Sequence, residues 1–221
     1  MTPITPITPI TPITPITPIT PITPITPITP ITPITPITPY AYQCSPAIEF
    51  VARLADKDHI WLFLPQKTVK LPRVKSGSGV KYQLENIMFW QHQDEAMLSL
   101  GNIVYKACKN NPSEAIWQAA KLNGADFRAV GNEPGWHLTI NQKTNITLTT
   151  QYGQQIEHFS HAEILSSAAH TLYQAKNGSN TLLMKLSIGP CTDSMSGEKF
   201  ETHVSLKVNE QSLKGCGKSL H

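Results

Sequence analysis

The chain has 221 residues, with 18 Lys and Arg against 15 Asp and Glu, for a net charge of +3. Residues 40–110 hold nine basic and six acidic residues and residues 111–221 hold nine of each, so the excess lies in one part of the chain. So small a surplus excludes an argument for nucleic acid as a partner.

Residues 2–37 are twelve copies of Thr-Pro-Ile, followed by Thr38 and Pro39. Proline at every third position removes amide donors and forbids an α-helix or a central strand, leaving polyproline II or disorder. As polyproline II the repeat forms an extended rod of up to about 110 Å with its isoleucines along one edge. Its prolines would leave carbonyls unpaired in lipid, which excludes a membrane span. It also lacks the basic region, continuous apolar core and small-residue cleavage site of a secretory signal. The repeat is either a genuine spacer or a segment that has displaced the true amino terminus. Tyr42 and Gln43 before Cys44 are too bulky for a lipid-attachment site.

Beyond the repeat, about 180 residues remain, enough for one large domain or two small ones. Seven short runs follow, "AIEFVARL", "HIWLFL", "KTVKLPRV", "VKYQL", "IMFWQ", "AMLSL" and "NIVYKAC". They are rich in β-branched and aromatic residues and are parted by Asp, Lys, Gly, Pro and Ser. Seven runs in about 65 residues fit a compact antiparallel sheet or small barrel, because helices need more room. In residues 110–127 the texture changes. Ser113 caps a predicted helix over 114–122, with Pro112 before it and Gly124 ending it. Strand patterns then resume in "WHLTI", "NITLTT", "IEHFSHAEIL", "HTLYQA", "TLLMKLSI" and "HVSLKV". The chain therefore divides into a repeat (1–39), a first folded part (40–110), a helical connector (111–126) and a second β-rich part (127–221).

Four cysteines fall as two well-separated pairs, Cys44 with Cys108 and Cys191 with Cys216. An even count in small, loop-rich domains suggests disulfides and an oxidising compartment; the alternative is four buried thiols in a cytosolic protein. A bridge closing roughly 65 residues contributes about 4 kcal/mol in the chain-entropy model, and one closing roughly 25 about 3. Gly215 and Gly217 let the backbone approach closely around the second pair.

Ser78-Gly79-x-x-Tyr82, followed by Phe89-Trp90 and Glu95-Ala96 and flanked by Cys44 and Cys108, resembles the membrane-bound inhibitors of C-type lysozyme (MliC) over residues 42–108. That family consists of bacterial periplasmic proteins and lipoproteins. The resemblance implies an eight-stranded antiparallel barrel whose Ser-Gly loop enters the lysozyme cleft. There lysozyme holds an un-ionised Glu and an ionised Asp. In the family the serine supplies a hydroxyl and a lysine of Phe-Trp-x-Lys-Gly supplies a cation. Ser78 matches the serine, but His92 stands at the lysine and Gln93 at the glycine. Histidine as a residue type carries its charge chiefly below about pH 6.5, so inhibition is expected to be weaker or pH-dependent. Lys75 and Lys81 flank the loop together with Lys70 and Arg73, and the first two are alternative cations. These charges suit an acidic cleft floor, whereas the general basicity of C-type lysozymes slows encounter.

Residues 127–220 resemble a domain of uncharacterised bacterial envelope lipoproteins, through Asn132-Glu-Pro-Gly-Trp136 and the Met195-Ser196-Gly197 turn. No activity comes with that resemblance. Glu133, Asp193 and Ser196 are polar candidates without the spacing of a nucleophilic site, so no enzyme is expected. His158, His161 and His170 lack an acidic or thiol ligand at useful spacing, so neither a metal nor a cofactor is expected.

The sequence thus points to a mainly β protein. It comprises a small eight-stranded antiparallel barrel, then a second β-rich domain with one or two helices, behind a disordered or polyproline II repeat. The expected partner is a C-type lysozyme of a host or competitor, met through Ser78, Gly79, Tyr82, His92, Lys75 and Lys81. The expected location is the periplasm or cell envelope, with membrane anchoring and association with the outer membrane or cell wall as part of that reading. The alternative function is a non-enzymatic envelope structural or ligand-binding protein.

Overall fold

Short alternating runs joined by tight turns leave each strand beside its sequence neighbour, and the first eight follow that rule without exception. In the computed structural model, which describes residues 38–221 apart from Asp94, they are β1 (Tyr40–Ser45), β2 (Ile48–Asp56), β3 (His59–Phe63) and β4 (Thr68–Val74), then β5 (Val80–Leu84), β6 (Ile87–His92), β7 (Glu95–Leu100) and β8 (Ile103–Asn110). They form a closed antiparallel barrel in sequence order, with β8 returning to β1. Seven correspond to the seven apolar runs. The eighth, β1, is the Tyr-Ala-Tyr segment before the first run, drawn into the ladder because it alone can cover the free edges of β2 and β8. The rod expected of the repeat lies outside the described residues as far as residue 37.

The barrel is filled by alternation. Tyr42, Phe50, Tyr82 and Phe89 point inward, with Phe89 fully buried. Phe89 is the hub: its ring centroid lies 5.6 Å from Tyr42, 5.8 Å from Phe50 and 6.5 Å from Tyr82. Such offset and edge-on contacts favour aromatic rings over a random apolar fill. Burial drives the Tyr42 phenol far above its ordinary value, and the neighbouring Tyr40 adds to the shift. The β1–β8 ladder changes register between Gln43 and Ser45, and the Cys44–Cys108 disulfide sits at that irregularity. The covalent link thus holds the barrel's seam at the point where its pairing shifts register.

Helix α1 (Pro112–Leu122) follows directly. It begins earlier than the sequence suggested, because the cap is Asn111 and not Ser113: the Asn111 Oδ1 accepts the Glu114 amide at 3.2 Å. Pro112 then occupies the first helical position, where a missing amide hydrogen costs nothing. Gly124, with φ +81, follows the Asn123 cap. This is the single α-helix among the described residues; a lone 3₁₀ turn covers Gln151–Gly153.

The remaining strands are β9 (Ala125–Asn132), β10 (Gly135–Asn141), β11 (Asn145–Thr150), β12 (Gln155–Phe159) and β13 (Glu163–Ser166), then β14 (His170–Asn177), β15 (Asn180–Thr192), β16 (Lys199–Val208) and β17 (Gln211–Ser219). They make one antiparallel sheet in the order β12-β11-β10-β9-β17-β16-β15-β14-β13. The run "IEHFSHAEIL", expected as one strand, is β12 and β13, broken at Ser160–Ala162 where His161 adopts φ +57. These two strands are opposite edges of the sheet. In a flat sheet eight inter-strand steps would separate them by about 38 Å. The four Cα steps from Phe159 to Glu163 reach at most about 15 Å, so the sheet must curl. Asn180 Nδ2 donates to Glu157 Oε2 at 2.9 Å across the approaching edges. The concave side is packed with Phe127, Trp136, Leu138, Phe159, Leu182 and Met184.

On the convex side α1 lies against β9 and β17. Trp117 packs with Phe200, Val130 and the Cys191–Cys216 disulfide. The Arg128 guanidinium sits 5.5 Å and the Lys218 ammonium 4.9 Å from the Trp117 ring, and Lys218 also reaches Glu114 at 3.3 Å.

The Asn132–Trp136 and Met195–Gly197 segments prove to be one structural unit. Asp193 Oδ2 accepts from Asn132 Nδ2 at 2.7 Å, while Oδ1 accepts from the Met195 amide, the Ser196 amide and the Ser196 hydroxyl. Burial alone would raise the Asp193 pKa, but these donors outweigh it and hold the carboxyl below its ordinary value. The three residues considered as a polar site thus serve differently: Asp193 and Ser196 close a turn, and Glu133 lies in the bend between β9 and β10. His158, His161 and His170 belong to β12, the link and β14, and no cluster of three metal-binding side chains occurs among the described residues. Replacing Asp193 with Ala strands four donors; the expected loss is about 2–3 kcal/mol in urea unfolding, whereas Glu133→Ala is near neutral.

Candidate functional site

Two hairpins build the site, and their turns fix its registry. Glu85 and Asn86 close β5 on β6 so that Tyr82 pairs with Phe89 and Lys81 with Trp90. β6 returns as β7 in register, so that His92 faces Glu95 across the ladder. Because β-strand side chains alternate, burying Ile87 and Phe89 sends Met88, Trp90 and His92 to the outside of the barrel. Trp90 and His92 are therefore neighbours on one outer face, with ring centroids 5.8 Å apart.

The connection from β4 to β5, residues 75–79, folds over that face. The Trp90 indole donates to the Ser78 carbonyl at 3.0 Å, and the Ser76 hydroxyl donates to the same oxygen. Gly79 has φ +67, and a Cβ there would fall on the Gln91 carbonyl oxygen and 2.8 Å from the His92 Cβ. The loop thus lies directly on the end of β6, with no room for a side chain beneath it. This close approach brings Ser78 and Gly79, distant from Gln91 and His92 in sequence, to one place. Ser78 itself is exposed.

The other expected residues separate into two kinds. Tyr82 is 5 % exposed and stacks on Phe89, so it supports the loop from within the barrel; burial pushes its phenol up, against the opposing charge of Arg73. Lys81 lies on the outer face across from Trp90. Lys75 is exposed at the start of the loop and, with Asp58, Arg73, Ser76 and Gly79, lines an open cleft of about 500 Å³. Lys70 is engaged elsewhere: its ammonium is 3.5 Å from Asp56 and 5.9 Å from the Trp61 ring. The His59 ring, the Asp58 amide and Lys70 together lower the Asp56 pKa to about 2. Among the described residues Arg73, Lys75 and Lys81 form no ion pair.

Two residues quoted from the motif, but not expected among the lysozyme-binding residues, contribute to the site. Trp90 acts as a positioning residue through its indole N–H, and Glu95 sets a carboxylate opposite His92. Both follow from hairpin register: given a two-residue Glu85-Asn86 turn, pairing Lys81 with Trp90 is obligatory. Gln93 adds a further feature. Its φ is +53, a left-handed conformation that costs an ordinary side chain about 1–2 kcal/mol and that glycine adopts freely.

The model of the family described as membrane-bound lysozyme-inhibitor of c-type lysozyme matches residues 42–105, from β1 into β8. Neither the curated proteins nor the solved structures gave a match to this chain.

Two outcomes follow from the loop geometry. Trp90→Phe keeps the barrel folded but leaves the Ser78 carbonyl with the Ser76 hydroxyl as its one remaining donor, lowering stability by about 1 kcal/mol and dropping the backbone order parameters of residues 76–79 to below about 0.6 by NMR relaxation. Gln93→Gly relieves the left-handed strain and raises the unfolding free energy in urea titration, by at most about 1 kcal/mol because glycine also loses more entropy on folding.

Proposed function

We propose that this protein inhibits C-type lysozyme by inserting the loop at Ser78 into the enzyme's active-site cleft, and so protects peptidoglycan. The observation that carries this reading is the match of residues 42–105 to the lysozyme-inhibitor family. The geometry of the loop supports it. A cleft-filling segment must keep its shape without its target, because ordering a free loop on binding weakens affinity. Trp90 and Gly79 restrain this one, and Ser78 stands exposed at its crest.

In the cleft the Ser78 hydroxyl donates to a catalytic carboxylate. A charge-assisted hydrogen bond of this kind satisfies an ionised group that the inhibitor has removed from water. A cation on the same face completes the pairing. His92 occupies the place at which the family carries lysine, next to Trp90 and across the ladder from Glu95. Lys81, one strand away, is the second cation of this face. The envelope location expected of the family is part of the same proposal. No helix among the described residues is long and apolar enough to cross a membrane.

Turbidity assays of lysozyme on cell walls test the reading. Ser78→Ala is expected to weaken inhibition about 10- to 100-fold, the range for a hydrogen bond to a charged group. His92→Lys is expected to strengthen it, because lysine places a compact permanent cation on that face. Equal inhibition constants for wild type and His92→Lys remove position 92 from the cation's role. Absence of inhibition by micromolar wild-type protein favours an envelope structural or ligand-binding protein instead.

A further inference from the structure

Outside the matched segment, the convex face of β13–β17 carries an amphipathic surface that α1 leaves uncovered. Strand register aligns Leu165, Leu172, Lys185, Ser205 and Lys214 in one row across five strands. The next row holds Glu163 at the edge, then Gln174, Leu183, Lys207 and Ser212. Their sequence neighbours Met184, Leu206 and Leu213 are buried on the concave side, so alternation places both rows outside. Leu165 is 72 % and Leu183 53 % exposed. A shallow cleft of about 270 Å³ runs between the leucines and the three lysines. The acidic groups of this region flank the lysines: Glu163 on the edge strand β13, Glu201 on the outward face of β16 four residues before Ser205, and Glu210 in the β16–β17 turn, 3.7 Å from Lys207.

The chemistry of this face selects its occupant. Three ammonium groups on adjacent strands attract a negative surface, while exposed leucines gain free energy only by leaving water. A soluble polyanion would engage the lysines and leave the leucines wet. A second copy of the chain, meeting this face through a two-fold axis, would set lysine against lysine. A bilayer with anionic headgroups satisfies both groups at once, with leucines at the acyl boundary and lysines among the phosphates. We propose that the convex face of β13–β17 docks on an anionic lipid bilayer.

Co-sedimentation of the full chain with phosphatidylcholine vesicles, with and without phosphatidylglycerol, tests this. The expected result is binding to the anionic vesicles alone, weakened by salt. The triple variant Lys185→Gln, Lys207→Gln, Lys214→Gln should bind about a hundredfold more weakly, since each lysine near an anionic surface is worth about fivefold. Leu165→Ser with Leu183→Ser should bind at least tenfold more weakly at every salt concentration. Lys75→Gln with Lys81→Gln, and Ser78→Ala, should bind as wild type, which separates this surface from the lysozyme-directed loop. All of these positions are at least partly exposed, and an unchanged melting temperature verifies each variant's fold. The proposal is overturned by failure to sediment with anionic vesicles, by lysine variants that bind as wild type, or by leucine variants that bind as wild type. The last result would identify simple polyanion binding.

Discussion

The fate of unpaired sheet edges constrains this structure more than any single contact. The seventeen strands among the described residues would present long rows of free amides and carbonyls if any sheet lay open and flat. The first eight abolish their edges by closing, which obliges β1 to pair on both sides and leaves a register shift at the β1–β8 seam. The following nine keep two edges but bring them together, because only Ser160–Ala162 connects β12 to β13. Closure and curling are two answers to the same requirement. Each leaves one face of the sheet concave and packed, and the other free to carry chemistry.

That division explains why aromatic residues play two roles here. Phe89 and Trp90 are adjacent, yet alternation sends the first into the barrel as the hub of its core and the second outward as a hydrogen-bond donor to the loop. The same hairpin therefore supplies rigidity to the wall and shape to what lies on it. In the second sheet Trp117 does comparable service from the helix, covering the disulfide while two cations lie over its ring. Arg128 is largely withdrawn from water there, and burial lowers its pKa. Its guanidinium is held by the aromatic face, which accepts a poorly hydrated cation better than it would accept an ammonium at the same depth.

Much of this organisation was legible in the sequence, for reasons that vary by element. The barrel strands were visible because period-two alternation between turn residues is a strong signal over short runs. β1 was harder to see, since "YAYQCS" becomes a strand through the edges it covers and not through its own apolar content. The helix was legible, but its start was misplaced by two residues because Ser and Asn are both good caps and only tertiary contact chooses between them; the Asn111 amide bonds to the Ala41 carbonyl of β1 at 2.8 Å. The split of "IEHFSHAEIL" was hidden because His161, at φ +57, is not a residue that announces a break. In the candidate site, Ser78 and His92 could be named from the motif, while their contact through Gly79 could not. Sequence spacing does not reveal which strand a loop folds over.

The motif residues divide into those that hold the loop and those that face outward from it. Gly79, Tyr82, Phe89 and Trp90 hold: each is fixed by a steric limit, burial or a hydrogen bond, and each agrees with the pattern the sequence resembles. The departures from that pattern, His92 and Gln93, fall where the core does not depend on them. His92 is an outward residue at the end of β6, and Gln93 occupies a turn position whose left-handed backbone persists even without glycine. Substitution there changes the charge offered by the surface and the strain in one turn, but it leaves the packing around Phe89 untouched. A scaffold of this kind can therefore vary the cation it presents without redesigning its core, because strand alternation has already separated the two tasks.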